Sequence, residues 1–329
     1  MRTIVFLAAA VAAWVAQRST VDASLRGISA VSRKIAWASG TKGTVLRTTD
    51  GGANWTARPV PEAADLDFRD NHAFDAQRAV ILSSGPGAQS RIYRTTDGGE
   101  HWTLAHQNAD ASGFYDAVAF WDSRRGLAVG DPVNGRFVVL RTEDGGASWT
   151  RVDPAGLPPA REAEGAFAAS GTCLAVDGNG RAWFGTGGVN GGRVFRSADW
   201  GKTWTVVDTP IRHDSTSSGI FSITFRGDHG VAVGGDYQKP DEDRANVIVS
   251  EDGGRTWTAL SDARPGGYRS AVAYAGRTLI ATGTNGTDRS DDGGRTWRKE
   301  TGVPGFNALS FAGEAGWAVG ARGAISRMN

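Results

Sequence analysis

The sequence predicts an all-β protein, a seven-bladed β-propeller of four-stranded blades in which an N-terminal strand closes the last blade. Three observations predict it. A turn motif recurs six times, strand-like runs flank every copy in a constant order, and the last unit stops one strand short. Repeats of four strands at intervals of about 40 to 55 residues are the pattern of propeller blades.

The turn is Ser/Thr-x-Asp-x-Gly-x-x-Trp, the aspartate box or bacterial neuraminidase repeat. It occurs at Thr48–Trp55, Thr95–Trp102, Thr142–Trp149, Ser197–Trp204, Ser250–Trp257 and Ser290–Trp297. Each residue type suits a tight turn. The carboxylates of Asp50, Asp97, Asp144, Asp199, Asp252 and Asp292 can accept backbone N–H groups, and the second glycine can take a positive φ. The indoles of Trp55, Trp102, Trp149, Trp204, Trp257 and Trp297 are large enough to plug the space between units. These box residues are read as structural.

Three runs precede each box. In the first unit they are Ile28-Ser29-Ala30-Val31, Ala36-Trp37-Ala38-Ser39-Gly40 and Thr44-Val45-Leu46-Arg47. With the run after the tryptophan they make strands a, b, c and d. A seventh unit begins at Asn307-Ala308-Leu309 and reaches strand c at Gly323-Ala324-Ile325-Ser326-Arg327, but lacks a box and strand d. Ala13-Trp14-Val15-Ala16-Gln17-Arg18 resembles Asn54-Trp55-Thr56-Ala57-Arg58, so Trp14 is expected to open the missing strand. A closed ring leaves no exposed sheet edge.

Arg2 and the apolar stretch Ile4 to Ala13 read as a secretory signal, too short for a membrane span. Residues 1–13 are expected to be the leader and 14–329 a single propeller. Cleavage near Ala10 to Ala13 keeps the closing strand, whereas the competing site after Ala23 would discard it. The product is expected in the periplasm or outside the cell.

Composition narrows the function. Gly is 46 of 329 residues with only 11 Pro, which suits many turns needing positive φ. The net charge of +1 offers no field for nucleic acid. Cys173 is the only cysteine, in an apolar run, so no intrachain disulfide or thiolate cage forms. The five histidines have no metal spacing, and no nucleotide-cofactor loop or serine-hydrolase elbow occurs, so neither cofactor nor metal is expected.

Over its whole predicted mature length the chain resembles the photosystem II stability/assembly factors and their secreted bacterial relatives. The resemblance rests on Ser24-Leu25-Arg26-Gly27-Ile28-Ser29-Ala30-Val31, on Gly316-Trp317-Ala318-Val319-Gly320, and on the repeated Arg-Thr-Thr-Asp-Gly-Gly-x-x-Trp. It implies a seven-bladed propeller that escorts membrane-protein precursors in the thylakoid lumen or periplasm. The expected partner is therefore a polypeptide, engaged by a monomer.

Topology places the boxes and the a–b turns on one face and the b–c and d–a loops on the other. The second face carries the long segments Asp131 to Gly135, Asp153 to Glu164, Thr209 to Ser218 and Asp236 to Arg244. Scaffolded loops are where binding residues concentrate. Arg26, Arg69 and Arg269 are expected at equivalent rim positions, with Arg136 and Arg212 in nearby loops, able to clamp a carboxylate. The alternative is that the three matched arginines, Arg26, Arg69 and Arg269, pair with Asp131, Glu164 and Asp236 across adjacent blades. A glycoside hydrolase acting on a glycan at this face is the second function, with Tyr115, Tyr237 and Tyr268 near the right loops and Glu164 and Asp131 as available acids, though the sialidase Phe/Tyr-Arg-Ile-Pro signature is missing.

Overall fold

The computed structural model describes residues 14–329; the expected leader lies outside them. Seven four-stranded antiparallel sheets form the fold, each meandering from strand a to strand d. The seven a strands are Leu25–Ala30, Phe68–Ala73, Tyr115–Phe120, Leu174–Val176, Ser218–Arg226, Ala271–Ala275 and Ala308–Ala312. They touch one another in a closed circle around the axis. Among the described residues the only helical segments are three short 3-10 turns, and no helix is long and apolar enough to cross a membrane.

The b strands are apolar on both sides because each sheet packs face to face with two neighbours. Ala36–Gly40 and Ala79–Ser83 are buried at every position. Apolar clusters therefore form between blades. One joins Leu25, Leu46 and Trp55 of blade 1 to Trp317, Val319 and Ile325 of blade 7.

Closure follows the predicted register. Trp14–Gln17 pairs antiparallel with Ile325–Met328, with Val15 opposite Arg327 as Thr56 is opposite Arg47. Trp14 packs on Phe306 and Phe311 at centroid distances of 5.7 and 6.1 Å. Gln17 then locks the seam. Its Oε1 accepts the indole N–H of both Trp55 and Trp317 at 3.0 Å, and its Nε2 donates to Gly51 O at 2.9 Å.

The boxes are built as their residue types require. Thr48 Oγ1 donates to Asp50 Oδ1 at 2.8 Å, Gly52 N–H donates to Thr48 Oγ1 at 2.8 Å, and Asn54 N–H donates to Asp50 Oδ1 at 2.9 Å. Those donors hold the Asp50 carboxyl down to about 2. Both glycine positions, not only the second, take positive φ, 79° and 83° in the first box. In the fourth box Trp200 accepts φ 63° at the first position. Its ring is covered by the Arg125 guanidinium at 3.6 Å and by Trp121.

Two rings of polar contacts tie blade to blade. Near the axis, a-strand N–H groups left unpaired at the inner edge are caught by the preceding blade. Ala30 N–H donates to Ser310 Oγ, Ala73 N–H to Ser29 Oγ, Val118 N–H to Asp70 Oδ2 and Val272 N–H to Ser222 Oγ, at 2.7–3.0 Å. On the box face the arginine next to last in strand c reaches the next blade's box in four blades, while Arg47 reaches Ala76 O of the next blade and Arg289 turns to Asp291 in its own. Arg94 donates to Gly145 O, Arg141 to Trp200 O, Arg196 to Gly253 O and Arg327 to Gly51 O, at 2.8–3.0 Å. Blade 5 has Val249 there instead. His229 supplies the link, with Nε2 2.7 Å from Gly293 O and Nδ1 2.9 Å from Glu251.

Gln17→Ala leaves two indole N–H groups at the seam without their acceptor. We expect a loss of about 2 kcal/mol, read as a lower urea midpoint with unchanged slope, while the exposed Arg18→Ala leaves the midpoint in place. An unchanged midpoint for Gln17→Ala would show that the seam does not depend on this amide.

Candidate functional site

The functional mouth is made by a register skip. In four blades the a–b ladder passes over one residue, between Leu25 and Gly27, Phe68 and Asp70, Tyr115 and Ala117, and Ile220 and Ser222. The bulge re-aims the skipped side chain out of the ladder. Those side chains are Arg26, Arg69, Asp116 and Phe221. Two more blades reach the same arrangement: Thr282 O accepts Ser270 N–H while Thr282 pairs with Ala271, and Val319 O accepts Asn307 N–H while Val319 pairs with Ala308. All six skipped residues line one cavity of about 510 Å³ at the axis, on the face opposite the boxes.

Chemistry changes around this mouth. On the side of blades 1 and 2, Arg69 Nε donates to Asp67 Oδ2 at 2.8 Å, and Arg26 Nε stands 3.9 Å from the same oxygen. Two cations share one carboxylate. Burial, and then the neighbouring Arg69, lower the pKa of Arg26. Arg69 also lies over the Phe114 ring at 5.9 Å.

The side of blades 3 and 4 is acidic. Asp116 is 1% exposed, and burial, with Asp131 nearby, raises its carboxyl well above the ordinary range. Asp131 accepts Ala166 N–H at 2.9 Å, and burial pushes it up to about 6. Next to it stands an aromatic wall. Phe167 stacks on Phe221 at 3.9 Å, and Tyr268 meets Phe221 edge-on at 4.8 Å. Tyr237, half exposed, completes the rim.

Several expected site residues lie elsewhere. Arg269 is not equivalent to Arg26. A Cβ on Gly40 would strike Ser24 O at 2.2 Å, and one on Gly283 would strike Tyr268 O at 2.1 Å. These matched close approaches make Arg269 the counterpart of Leu25 in its own blade, so Ser270 takes the mouth position. Arg269 is fully buried, bonded to Asp288 and to Asn285 Oδ1. Arg212 is buried among Asp214, Glu242 and Asp236. Arg136 donates to Leu157 O at a hairpin tip. Glu164 is buried against Arg193, and Asp236 accepts Ser217 Oγ.

The expected alternative partners are also different: Arg26 and Arg69 use Asp67, and Arg269 uses Asp288. Only Arg26, Arg69, Asp131 and Tyr237 of the expected binding set meet at the mouth. Asp131–Gly135 is not a free loop. Strand pairing continues through Val133–Arg136, and Asn134 and Gly135 turn with φ 54° and 73°.

Sequence reasoning missed Asp67, Asp116, Phe114, Phe167, Phe221, Ser270 and Asn307, and Tyr268, named with the hydrolase reading, does line the mouth. A usable signal exists for the skipped residues: the glycine that closes the apolar run of strand b, as in Gly40, Gly130 and Gly234, pairs with the residue just before the skipped one, and Gly283 approaches Arg269 in the same way.

Ring, boxes and axial mouth together define a closed seven-bladed propeller with a polar site on its loop face. No family profile matches the sequence, and no curated protein matches it. Solved structures do match. YCF48 bound to a D1 peptide superposes with TM-score 0.68 at 20% identity, covering 96% of each chain. YCF48 from Cyanidioschyzon merolae superposes with TM-score 0.70 at 21% identity, covering 97% of this chain and 99% of the other. U3-55K reaches TM-score 0.68 at 12% identity, covering 96% of this chain and 98% of the other. The similarity shows the fold, and the equal score of U3-55K shows that superposition alone does not choose a function. Its agreement with the sequence resemblance is that YCF48, a photosystem II assembly factor, stands among these neighbours.

Arg269→Met leaves Asp288 charged and buried, and should cost about 3–5 kcal/mol; Arg26→Met, at the open mouth, should leave the denaturant midpoint nearly unchanged. Equal midpoints would refute the division between blade and mouth arginines. Stability should also depend on pH near neutrality. Burial pushes Asp70 up to about 8 from its ordinary 3.8, against two backbone donors, so the folded chain binds a proton that the unfolded chain releases. Stability therefore falls as pH rises from 6.5 through 8. His72, which burial lowers to about 4 from 6.5, opposes this trend only below pH 6.5. Thermal midpoints from pH 6.5 to 8.5 check the slope, and Asp70→Asn should flatten it.

Proposed function

We propose that the chain is an exported binding scaffold, not an enzyme, that takes a segment of a polypeptide partner at the axial mouth. The observation that carries this reading is the Arg26–Arg69 pair on one carboxylate. Asp67 balances only one of the two charges, and Arg26 Nε is buried without a hydrogen-bond partner among the described residues. A carboxylate on the partner completes that arrangement with charge-assisted bonds. The aromatic wall beside it offers apolar area for a side chain.

A peptide ligand is supported by YCF48, which was solved with a D1 peptide bound. Export is supported by Arg2 and the apolar stretch Ile4 to Ala13; the periplasm, or the lumen in a photosynthetic cell, is then the working compartment. The hydrolase reading rested on Tyr115, Tyr237 or Tyr268 with Glu164 or Asp131. Glu164 is ion-paired inside the blade with Arg193, while Asp131, Tyr237 and Tyr268 line the mouth; the Arg26–Arg69 pair beside them supports binding as the first reading.

The test is charge reversal at both mouth arginines, Arg26→Glu with Arg69→Glu. Affinity for a fluorescein-labelled free-acid decapeptide should fall about 100-fold, as expected for two charge-assisted bonds, with the thermal midpoint held within a few degrees. Unchanged affinity in the folded variant would reject the arginine pair as the binding element.

A further inference from the structure

The mouth has a second charged end that the arginines do not explain. Asp116 lines the cavity at 1% exposure, and neither carboxylate oxygen has a hydrogen-bond partner among the described residues. The backbone of Ala168 lies near it without reaching hydrogen-bond geometry. A buried carboxyl without partners is costly, and native structures retain such groups where something else satisfies them. Asp131 stands beside it with Oδ1 committed to Ala166 N–H and Oδ2 uncommitted. The acidic pair belongs to blade 3, next to Arg69 of blade 2, whose charge acts on Asp116 without a hydrogen bond between them.

The cavity is also not closed on the acidic side. Asp131, Ala166 and Phe167 line both the axial cavity and an adjoining groove floored by Gly165, Gly187 and Gly188. A Cβ on Gly165 would come within 2.9 Å of Asp131 Oδ1, so the absent side chain keeps Asp131 open to the groove. Backbone bridges from Gly165 to Gly187 and on to Gly219 hold this floor in place. An extended chain can leave the mouth along it.

We propose that Asp116 and Asp131 select the occupant: beside the carboxylate held by Arg26 and Arg69, they receive a hydrogen-bond-donating side chain of the same polypeptide, Lys, Arg, Asn or Gln, close by in its sequence. This inference rests on the polypeptide reading above and adds its specificity. Phe167 and Phe221 suit the aliphatic stem of such a side chain, and the acids its polar head. A partner with an apolar or acidic side chain at that place leaves Asp116 unpaired.

The experiment uses the whole chain and four N-terminally labelled decapeptides differing only in the penultimate residue, Lys, Gln, Leu or Glu. Each is made with a free and with an amidated C-terminus. With free acids, the Lys and Gln peptides should bind at least about tenfold more tightly than the Leu and Glu peptides. Asp116→Asn with Asp131→Asn should reduce that ratio to about twofold while preserving the loss caused by amidation. If amidation weakens all four peptides but the penultimate residue makes no difference, the acidic selector is overturned and the peptide scaffold stands. If no peptide binds, or amidation changes nothing, both readings fall. The wild-type series decides without the variant, should that variant not fold.

Discussion

Everything in this molecule depends on the pairing of Trp14–Gln17 with Ile325–Met328. Each blade buries both faces only because it has two neighbours, and blade 7 meets blade 1 across chain segments far apart in sequence. Without the N-terminal strand, blade 7 would keep an open outer edge, and Gln17 would not bridge Trp317 to Trp55 and Gly51. One amide therefore performs at the seam what a box carbonyl performs inside other blades, where Trp149, Trp204 and Trp297 donate to Gly146, Gly201 and Gly294. Trp14, at the box-tryptophan place of the seam, has no acceptor for its indole N–H among the described residues; the amide of Gln17 serves Trp55 and Trp317.

Closure also explains why the box motif extends to the arginine before it. The turn itself is satisfied locally by Asp, Ser or Thr and the backbone, and it would form in any blade taken alone. In five blades the arginine serves the next blade by taking a carbonyl there, and in four of these the carbonyl belongs to the box. Blade 5, with Val249 in place of arginine, meets the same need with His229 from a different strand. Substitution at constant geometry shows that the carbonyl, not the arginine, is the fixed requirement.

The blade count, strand order, closing strand and box chemistry were legible because each rests on local pattern: a turn signature, alternating apolar runs and a missing strand. The mouth was legible only in part. A bulge shifts register by one residue, and in period-two strands that shift moves a side chain to the other face. Nothing in Arg269 itself distinguishes it from Arg26; the glycine at the end of strand b does, through the close approach it permits at Gly40 and Gly283. Ion-pair partners were less legible still. Glu164 with Arg193 and Arg212 with Asp214 and Glu242 depend on how loops fold back, which spacing does not encode. Asp116 was passed over because, in sequence, it is one more acid beside a buried tyrosine.

The bulge also gives the scaffold its freedom to specialise. The skipped side chain points out of the ladder, so its identity is independent of the sheet that presents it. Around one mouth the chain sets Arg26, Arg69, Asp116, Phe221, Ser270 and Asn307 on near-identical backbone. A change at one blade alters the site's chemistry without disturbing box, seam or inter-blade arginine. The converse also holds: burying Asp116 without a partner is tolerated because the ladder, the boxes and the seam hold its strand regardless of what that carboxyl does. Stability is carried at the periphery and the seam, and that leaves the axis free to hold an unsatisfied, asymmetric site.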